Sequence, residues 1–236
     1  MLELSGVCKA FGSLQVIADL DLMVGEGEAV GVVGPNGAGK TTLLNLASGA
    51  LHPDRGRIAF DGEEVTRRSA HALCRNGIAR TFQVPRPFGG MTVYENVLVA
   101  ATYGAAGSDS AAVTADALRR TGLEDRADTQ AGSLPLLQRK RLELARAWAT
   151  VPRLLLLDEI GGGLTEPELQ ELLETVRGLR ETGVAIVWIE HIVHALLSVV
   201  ERLVAIAEGR KILDGDPQEV ISSRELRDVY LGEEPL

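Results

Sequence analysis

Residues 1–33 alternate between apolar and polar positions and then close into an apolar run. Leu2 and Leu4 flank Glu3, Val16-Ile17 and Leu20-Leu22-Val24 follow, and a Gly25-Glu26-Gly27 break precedes Ala29-Val30-Gly31-Val32-Val33. This pattern predicts short strands, a turn and a buried strand. Helical spacing follows over residues 41–50, and Asp61-Gly62 predicts the tight turn of a second hairpin.

From about Met91 to Leu123 the period turns helical, interrupted by the small, polar stretch from Gly104 to Ser110. A further helix is expected from Gln138, with Leu142, Leu144, Ala145 and Trp148 as its apolar face and Arg139, Lys140, Arg141, Glu143 and Arg146 as its charged one. Then come a continuous apolar strand at Leu154–Leu157, a helix from Glu166 to Glu181, a second buried strand at Val184–Ile189, another helix, and a hairpin around Glu208-Gly209. Buried strands separated by helices predict an α/β fold with a mainly parallel core sheet, a β-rich first quarter and a helical insert over about 91–150. No repeat or long linker divides the chain, so residues 1–236 are expected to form one domain.

Composition narrows the class. The chain has 236 residues, 45% of them hydrophobic, and a net charge of -9, a balance that suits a globular domain and disfavours nucleic acid as a partner. Arg139-Lys140-Arg141 is the densest basic run, and it reads first as the solvated face of a helix. Cys8 and Cys74 fit no metal-ligand or disulfide spacing, which predicts two reduced thiols. No basic leader precedes an apolar segment, and no apolar stretch reaches ~18 residues without a charge, so any tie to a membrane is expected through a partner.

Gly34-Pro35-Asn36-Gly37-Ala38-Gly39-Lys40-Thr41, with Thr42 next, matches the phosphate-loop pattern between a predicted strand and a predicted helix. The glycines let backbone N–H groups surround phosphate oxygens, the helix start adds positive potential, Lys40 reaches the β and γ phosphates, and Thr41 can ligate magnesium. Asp158-Glu159 ends the Leu154–Leu157 strand at its carboxyl edge, where open α/β sheets bind ligands. Asp158 suits a magnesium ion and Glu159 the polarisation of an attacking water. His191 closes the next strand and is expected beside them; Gln83, after Ala79-Arg80-Thr81-Phe82, is placed to bridge metal and water. Phe11 reads by itself as core and, alternatively, as a platform for adenine.

In this order, Phe11, the phosphate loop, Gln83, the segment LELARA, LLLLDE and the histidine of IEH resemble the ATPase subunit of an ATP-binding-cassette (ABC) transporter over nearly the whole chain. The segments RTFQVPRPFGGMTVYENVLVA and DGDPQEVISSRELRDVYLGEE further resemble the subfamily that drives import of branched-chain amino acids and related amides. The resemblance implies the P-loop ABC ATPase fold, with ATP and Mg²⁺ as cofactors. It also implies a second ATPase subunit in a homo- or heterodimer, transmembrane permease subunits, indirectly a substrate-binding protein, and a peripheral place on the cytoplasmic face of the membrane.

One motif departs from the family. Before LELARA the family usually reads Leu-Ser-Gly-Gly-Gln or Leu-Ser-Tyr-Gly-Gln, a segment that closes over ATP held by the opposite subunit; this chain has Leu134-Pro135-Leu136-Leu137-Gln138. Pro135 removes a hydroxyl and an N–H, and Leu137 is expected to put a side chain where glycine admits the phosphate. Pro135 is expected in the first turn of the helix, with Ser133 as its cap. Ile160 and Thr165 stand where proline and aspartate are usual. The leading expectation is a catalytic ATPase subunit with one weakened composite site; the alternative is an ATP-binding regulatory subunit with little hydrolysis of its own. A small-molecule kinase finds no support in an Arg-rich lid.

Overall fold

The computed structural model describes residues 1–104 and 109–231. In chain order the elements are β1 (Leu2–Phe11), β2 (Leu14–Val24), β3 (Ala29–Val33), α1 (Lys40–Ala47), β4 (Arg55–Phe60), β5 (Glu63–Glu64), α2 (Ala70–Arg75), β6 (Ile78–Arg80), α3 (Val93–Gly104) and α4 (Ser110–Arg120). After two short 3-10 turns follow α5 (Leu136–Trp148), β7 (Leu154–Asp158), α6 (Glu166–Arg180), β8 (Ala185–Ile189), α7 (Val193–Leu197), β9 (Arg202–Ala207), β10 (Arg210–Gly215), α8 (Pro217–Ser222) and α9 (Arg224–Leu231).

Two sheets share the work. β2-β1-β4-β5 form an antiparallel sheet, and β10-β9-β3-β8-β7-β6 form the core sheet, parallel except for β10. β7 shows why its apolar run is continuous. Leu154 and Leu156 point into the core shared with the antiparallel sheet and α1, while Leu155 and Leu157 point into the core shared with α6. Both faces are covered, so neither can be polar. Each buried leucine contributes about 1.5–3 kcal/mol of transfer free energy. A third core joins α3, α4 and α5 through Val93, Val97, Leu118, Leu134 and Leu142.

Three sequence expectations change. β1 and β2 are 10 and 11 residues long rather than short, because register shifts after Leu4, Val7 and Lys9 break the side-chain alternation while pairing continues. α5 begins at Leu136, not Gln138, and its charged face is not all solvated: Lys140 and Glu143 are buried. Of the expected break between Gly104 and Ser110, residues 105–108 lie outside the described residues.

Candidate functional site

The phosphate loop leaves β3 at Gly34 and enters α1 at Lys40. Two of its glycines are dictated by backbone packing. Gly34 has φ 152°, and a Cβ there would meet the Ile206 carbonyl oxygen at 2.0 Å; Gly39, at φ 99°, would meet the Val16 carbonyl at 2.7 Å. Only glycine fits such angles and approaches. The Lys40 ammonium donates to the carbonyls of Gly34 at 2.6 Å and Pro35 at 2.8 Å. Asn36, Gly37, Gly39, Lys40, Thr41 and Thr42 line a cavity of about 180 Å³ that Val16 and Glu159 complete from outside the loop. Ala38 is buried beneath the loop.

The core sheet brings the other groups to the same edge. β7 and β8 pair in parallel with Asp158 opposite Ile189, so the residues following each strand emerge together. Glu159 lies just past β7 in a left-handed conformation, φ 47°, which for a glutamate stores strain on the order of 1–3 kcal/mol. Its carboxylate is held from two sides: the Gln83 amide donates to one oxygen at 2.5 Å, and His191 Nε2 lies 2.9 Å from the other. Gln83, Glu159 and His191 are thus assembled as the sequence suggested. The arrangement can orient a carboxylate toward a group lodged at the phosphate loop.

Asp158 is buried, and its Oδ1 has no hydrogen-bond partner among the described residues. That orphaned acceptor fits a cation or its water. Among the described residues no group of three or more His, Cys, Asp or Glu side chains is placed to hold a metal. A single carboxylate with a hydroxyl and phosphate oxygens is what Mg²⁺ characteristically accepts; Asp158 is of the first kind and Thr41, which lines the cavity, of the second, while the Gln83 amide is engaged with Glu159.

Some residues at this edge were not singled out from sequence. Arg80 pairs with Asp158 Oδ2 at 2.8 Å and reaches Asn45 of α1. Glu190 is buried, and its carboxylate accepts the N–H of Gly161 at 2.8 Å and of His191 at 2.9 Å. Lys140 enters from α5. Val16 and Tyr230 contribute from afar, the Tyr230 hydroxyl accepting the Gly34 N–H at 3.0 Å. One signal was available for Arg80 and Glu190: each is a charge written into or beside an apolar strand.

Phe11 is not core. It stands half-exposed at the end of β1, with the Lys9 ammonium 5.8 Å from its ring centre, and it does not line the phosphate cavity. At the altered motif, Pro135 is the cap position and not a first-turn residue, and no side chain caps the helix; the Ser133 hydroxyl donates to Gln130 instead. Leu137 does not face outward either. It is 3% exposed and packs into the α6 core, whereas Leu136 is 38% exposed and is the side chain at the tip. Helical rotation of about 100° per residue separates the two. Ile160 is buried, and Thr165 caps α6, donating from its N–H and hydroxyl to Glu168 at 2.9 and 2.7 Å. The Arg139-Lys140-Arg141 run is likewise no free basic face: Arg139 donates to Leu134, Arg141 pairs with Glu171, and Lys140 is internal.

Around and after Gln83 the chain presents Phe82, Val84 and Phe88 to the surface. Asn96, wholly buried, fixes this loop by accepting the Phe88 N–H and donating to the carbonyls of Phe88 and Thr92. No helix among the described residues is long and apolar enough to cross a membrane.

Comparison with known proteins agrees with this geometry. A family described as ABC transporter matches residues 17–161. The high-affinity branched-chain amino acid transport ATP-binding protein BraF of Pseudomonas aeruginosa is 35% identical, over 99% of this chain and 98% of its own. The lipopolysaccharide export system ATP-binding protein LptB of Acidithiobacillus ferridurans is 33% identical, over 99% and 98%. Among solved structures, the ADP conformation of MJ1267, an ATP-binding cassette of an ABC transporter, superposes with a TM-score of 0.88 at 28% identity, covering 99% of both chains. A phosphate loop, an acid pair at the end of β7 on the same sheet and full-length likeness on both counts converge: this chain belongs to the ABC transporter family and is an ATP-binding, ATP-hydrolysing subunit of it.

Proposed function

We propose that this chain, folded as a single domain with its helical subdomain over about 91–150, energises uptake of branched-chain amino acids or related small amides. The observation that carries the catalytic part is the Glu159 carboxylate, held between Gln83 and His191 at the mouth of the phosphate-loop cavity. In this reading Phe11 stacks on adenine, residues Gly34 to Thr42 cradle the phosphates, and Thr41, Gln83 and Asp158 hold Mg²⁺. That ion neutralises phosphate charge when bound. Glu159 accepts the proton of the attacking water, Gln83 orients that water, and His191 keeps the carboxylate turned toward the terminal phosphate.

The working unit is a dimer with a second ATPase subunit, docked peripherally on permease subunits at the cytoplasmic face of the membrane. Phe82, Val84 and Phe88 supply an exposed apolar surface for that docking. The cargo assignment rests on names such as BraF's and is weakened by the near-equal likeness to LptB. An alternative, ATP binding with little turnover, is favoured by the motif at Pro135 and Leu136, which offers the partner's nucleotide no hydroxyl and an apolar tip. Losing one hydrogen bond to a charged group lowers closure there roughly 10- to 150-fold.

The test is the reconstituted complex with Glu159→Gln in this chain. Loss of most ATP turnover with nucleotide binding retained supports the catalytic reading; unchanged turnover leaves only the regulatory one. Leucine uptake by proteoliposomes carrying the same complex tests the cargo, and failure to move any branched-chain amino acid discards it.

A further inference from the structure

The start of α5 is anchored inside the catalytic edge by one buried cation. Lys140, 3% exposed, sits in the second turn of α5 and sends its ammonium to the backbone carbonyls of Gln83 at 3.2 Å and Glu159 at 3.3 Å. Among the described residues no carboxylate accepts it directly. Burial holds its pKa below the ordinary lysine value, an effect the fields of Glu190 and Glu159 offset only in part. Glu190, 3% exposed, in turn holds the N–H groups of Gly161 and His191. One ammonium therefore joins the segments that carry Gln83 and Glu159.

A buried lysine is costly, and a stem of apolar carbons would pack the same space without that cost. What the ammonium adds is direction. The helix that bears it ends in Leu134–Leu137, and Arg139 binds the Leu134 carbonyl at 2.6 Å, so the tip and Lys140 move as one body. The backbone just before α5 is also joined to the loop after Gln83, through Gly132 N–H to Gly89 and Ala131 N–H to Met91. Meanwhile Thr165, where the resemblance implies a usual aspartate, caps α6 through its N–H and hydroxyl.

We propose that Lys140 is the positioning residue that couples the two ATP sites of the dimer: it ties α5, whose tip closes over the partner's nucleotide, to the backbone of Gln83 and Glu159, which serve this chain's own. The inference rests on the dimeric ATPase reading above. When the tip engages across the interface, α5 carries the Gln83 and Glu159 carbonyls with it, and this chain's catalytic carboxylate is set for turnover only in the closed state.

The experiment measures ATP turnover against ATP concentration in the reconstituted complex for Lys140→Gln, Lys140→Arg and Glu159→Gln. Lys140→Gln is expected to lower kcat about 10-fold or more, the effect of losing a charged hydrogen bond, while KM for ATP stays within about twofold and cooperativity between sites falls. Lys140→Arg, which keeps charge and donors, is expected to recover most of kcat. Should Lys140→Gln fail to assemble, the double variant with Glu190→Gln, neutral on both sides, carries the same expectation. A Lys140→Gln complex that melts at lower temperature yet keeps kcat and cooperativity overturns the proposal, as does an arginine variant no better than glutamine. The Glu159→Gln arm separates the failures: if it is fully active the underlying reading falls, and if it is inactive while Lys140→Gln behaves as wild type only this inference falls.

Discussion

Arg80 and Asp158 form an ion pair at 2.8 Å with side chains only 8% and 4% exposed, between the last residue of β6 and the last of β7. A buried pair broken on one side leaves an uncompensated charge, which costs about 3–5 kcal/mol. Arg80→Met is therefore expected to lower the unfolding free energy, measured by urea titration in the absence of nucleotide, by that amount. On the proposed reading, added Mg-ATP would put a cation back beside Asp158. The variant's melting temperature should then rise more on Mg-ATP addition than the wild type's does, and an equal rise would show that Arg80 and the metal do not share the carboxylate.

Repairing the motif before LELARA requires choosing between its two leucines. Pro135→Ser with Leu136→Gly changes an exposed tip, and is expected to raise turnover at the partner's site roughly 10-fold with little loss of stability. Leu137→Gly, although it restores the usual glycine, empties a buried position and is expected to destabilise the fold by about 2–5 kcal/mol. Turnover assays and urea titrations of the two variants distinguish them.

Phe88 is 48% exposed, with the Arg146 guanidinium 5.2 Å from its ring centre, beside a groove lined by Phe82 and Glu143. Phe88→Asp places a charge on that apolar surface. Transport by the complex is expected to fall while ATP binding by the isolated chain is unchanged; unimpaired transport removes this loop from the docking surface.

Arg202 binds Glu28 at 2.6 Å and Asp214 at 2.6 Å, tying β9 to the start of β3 and to β10. Burial raises both carboxyls, but Arg202 and the Gly25 N–H outweigh it at Glu28, and Lys211 with Arg202 outweighs it at Asp214, so both lie below their ordinary values of 4.5 and 3.8. An acid with a depressed folded pKa stabilises above its unfolded value and loses that contribution as pH falls through the folded one. Arg202→Met is expected to be clearly less stable than wild type near pH 7. That gap should narrow as pH falls below the ordinary carboxyl values of 4.5 and 3.8, as measured by urea unfolding across pH.

Much of this site was legible before any coordinates. Gly34 to Thr42, Asp158-Glu159 and His191 are local signals, because a loop that wraps phosphate with its own backbone and an acid that ends a buried strand each announce themselves over a few residues. Gln83 was reachable as a polar residue following a short strand, and the family resemblance then placed it in the site. What failed was of another kind: Lys140 was read as a solvated charge and Leu137 as a surface leucine, since hydrophobic period assigns a helix face on the assumption that charge means water. Lys140 breaks that assumption by being paid in carbonyls and distant carboxylates.

The chain order of apolar runs, glycines and acids determined the elements, the parallel core and the grip on triphosphate, because those depend on short-range geometry and on which strands must hide both faces. Tertiary structure alone decided that Arg80 meets Asp158 across 78 residues, that Tyr230 reaches Gly34 across 196, and that Lys140 faces inward between Gln83 and Glu159. Such contacts are settled by how sheets and helices stack, and the free energy of a buried charge depends on neighbours that the linear sequence does not place beside it.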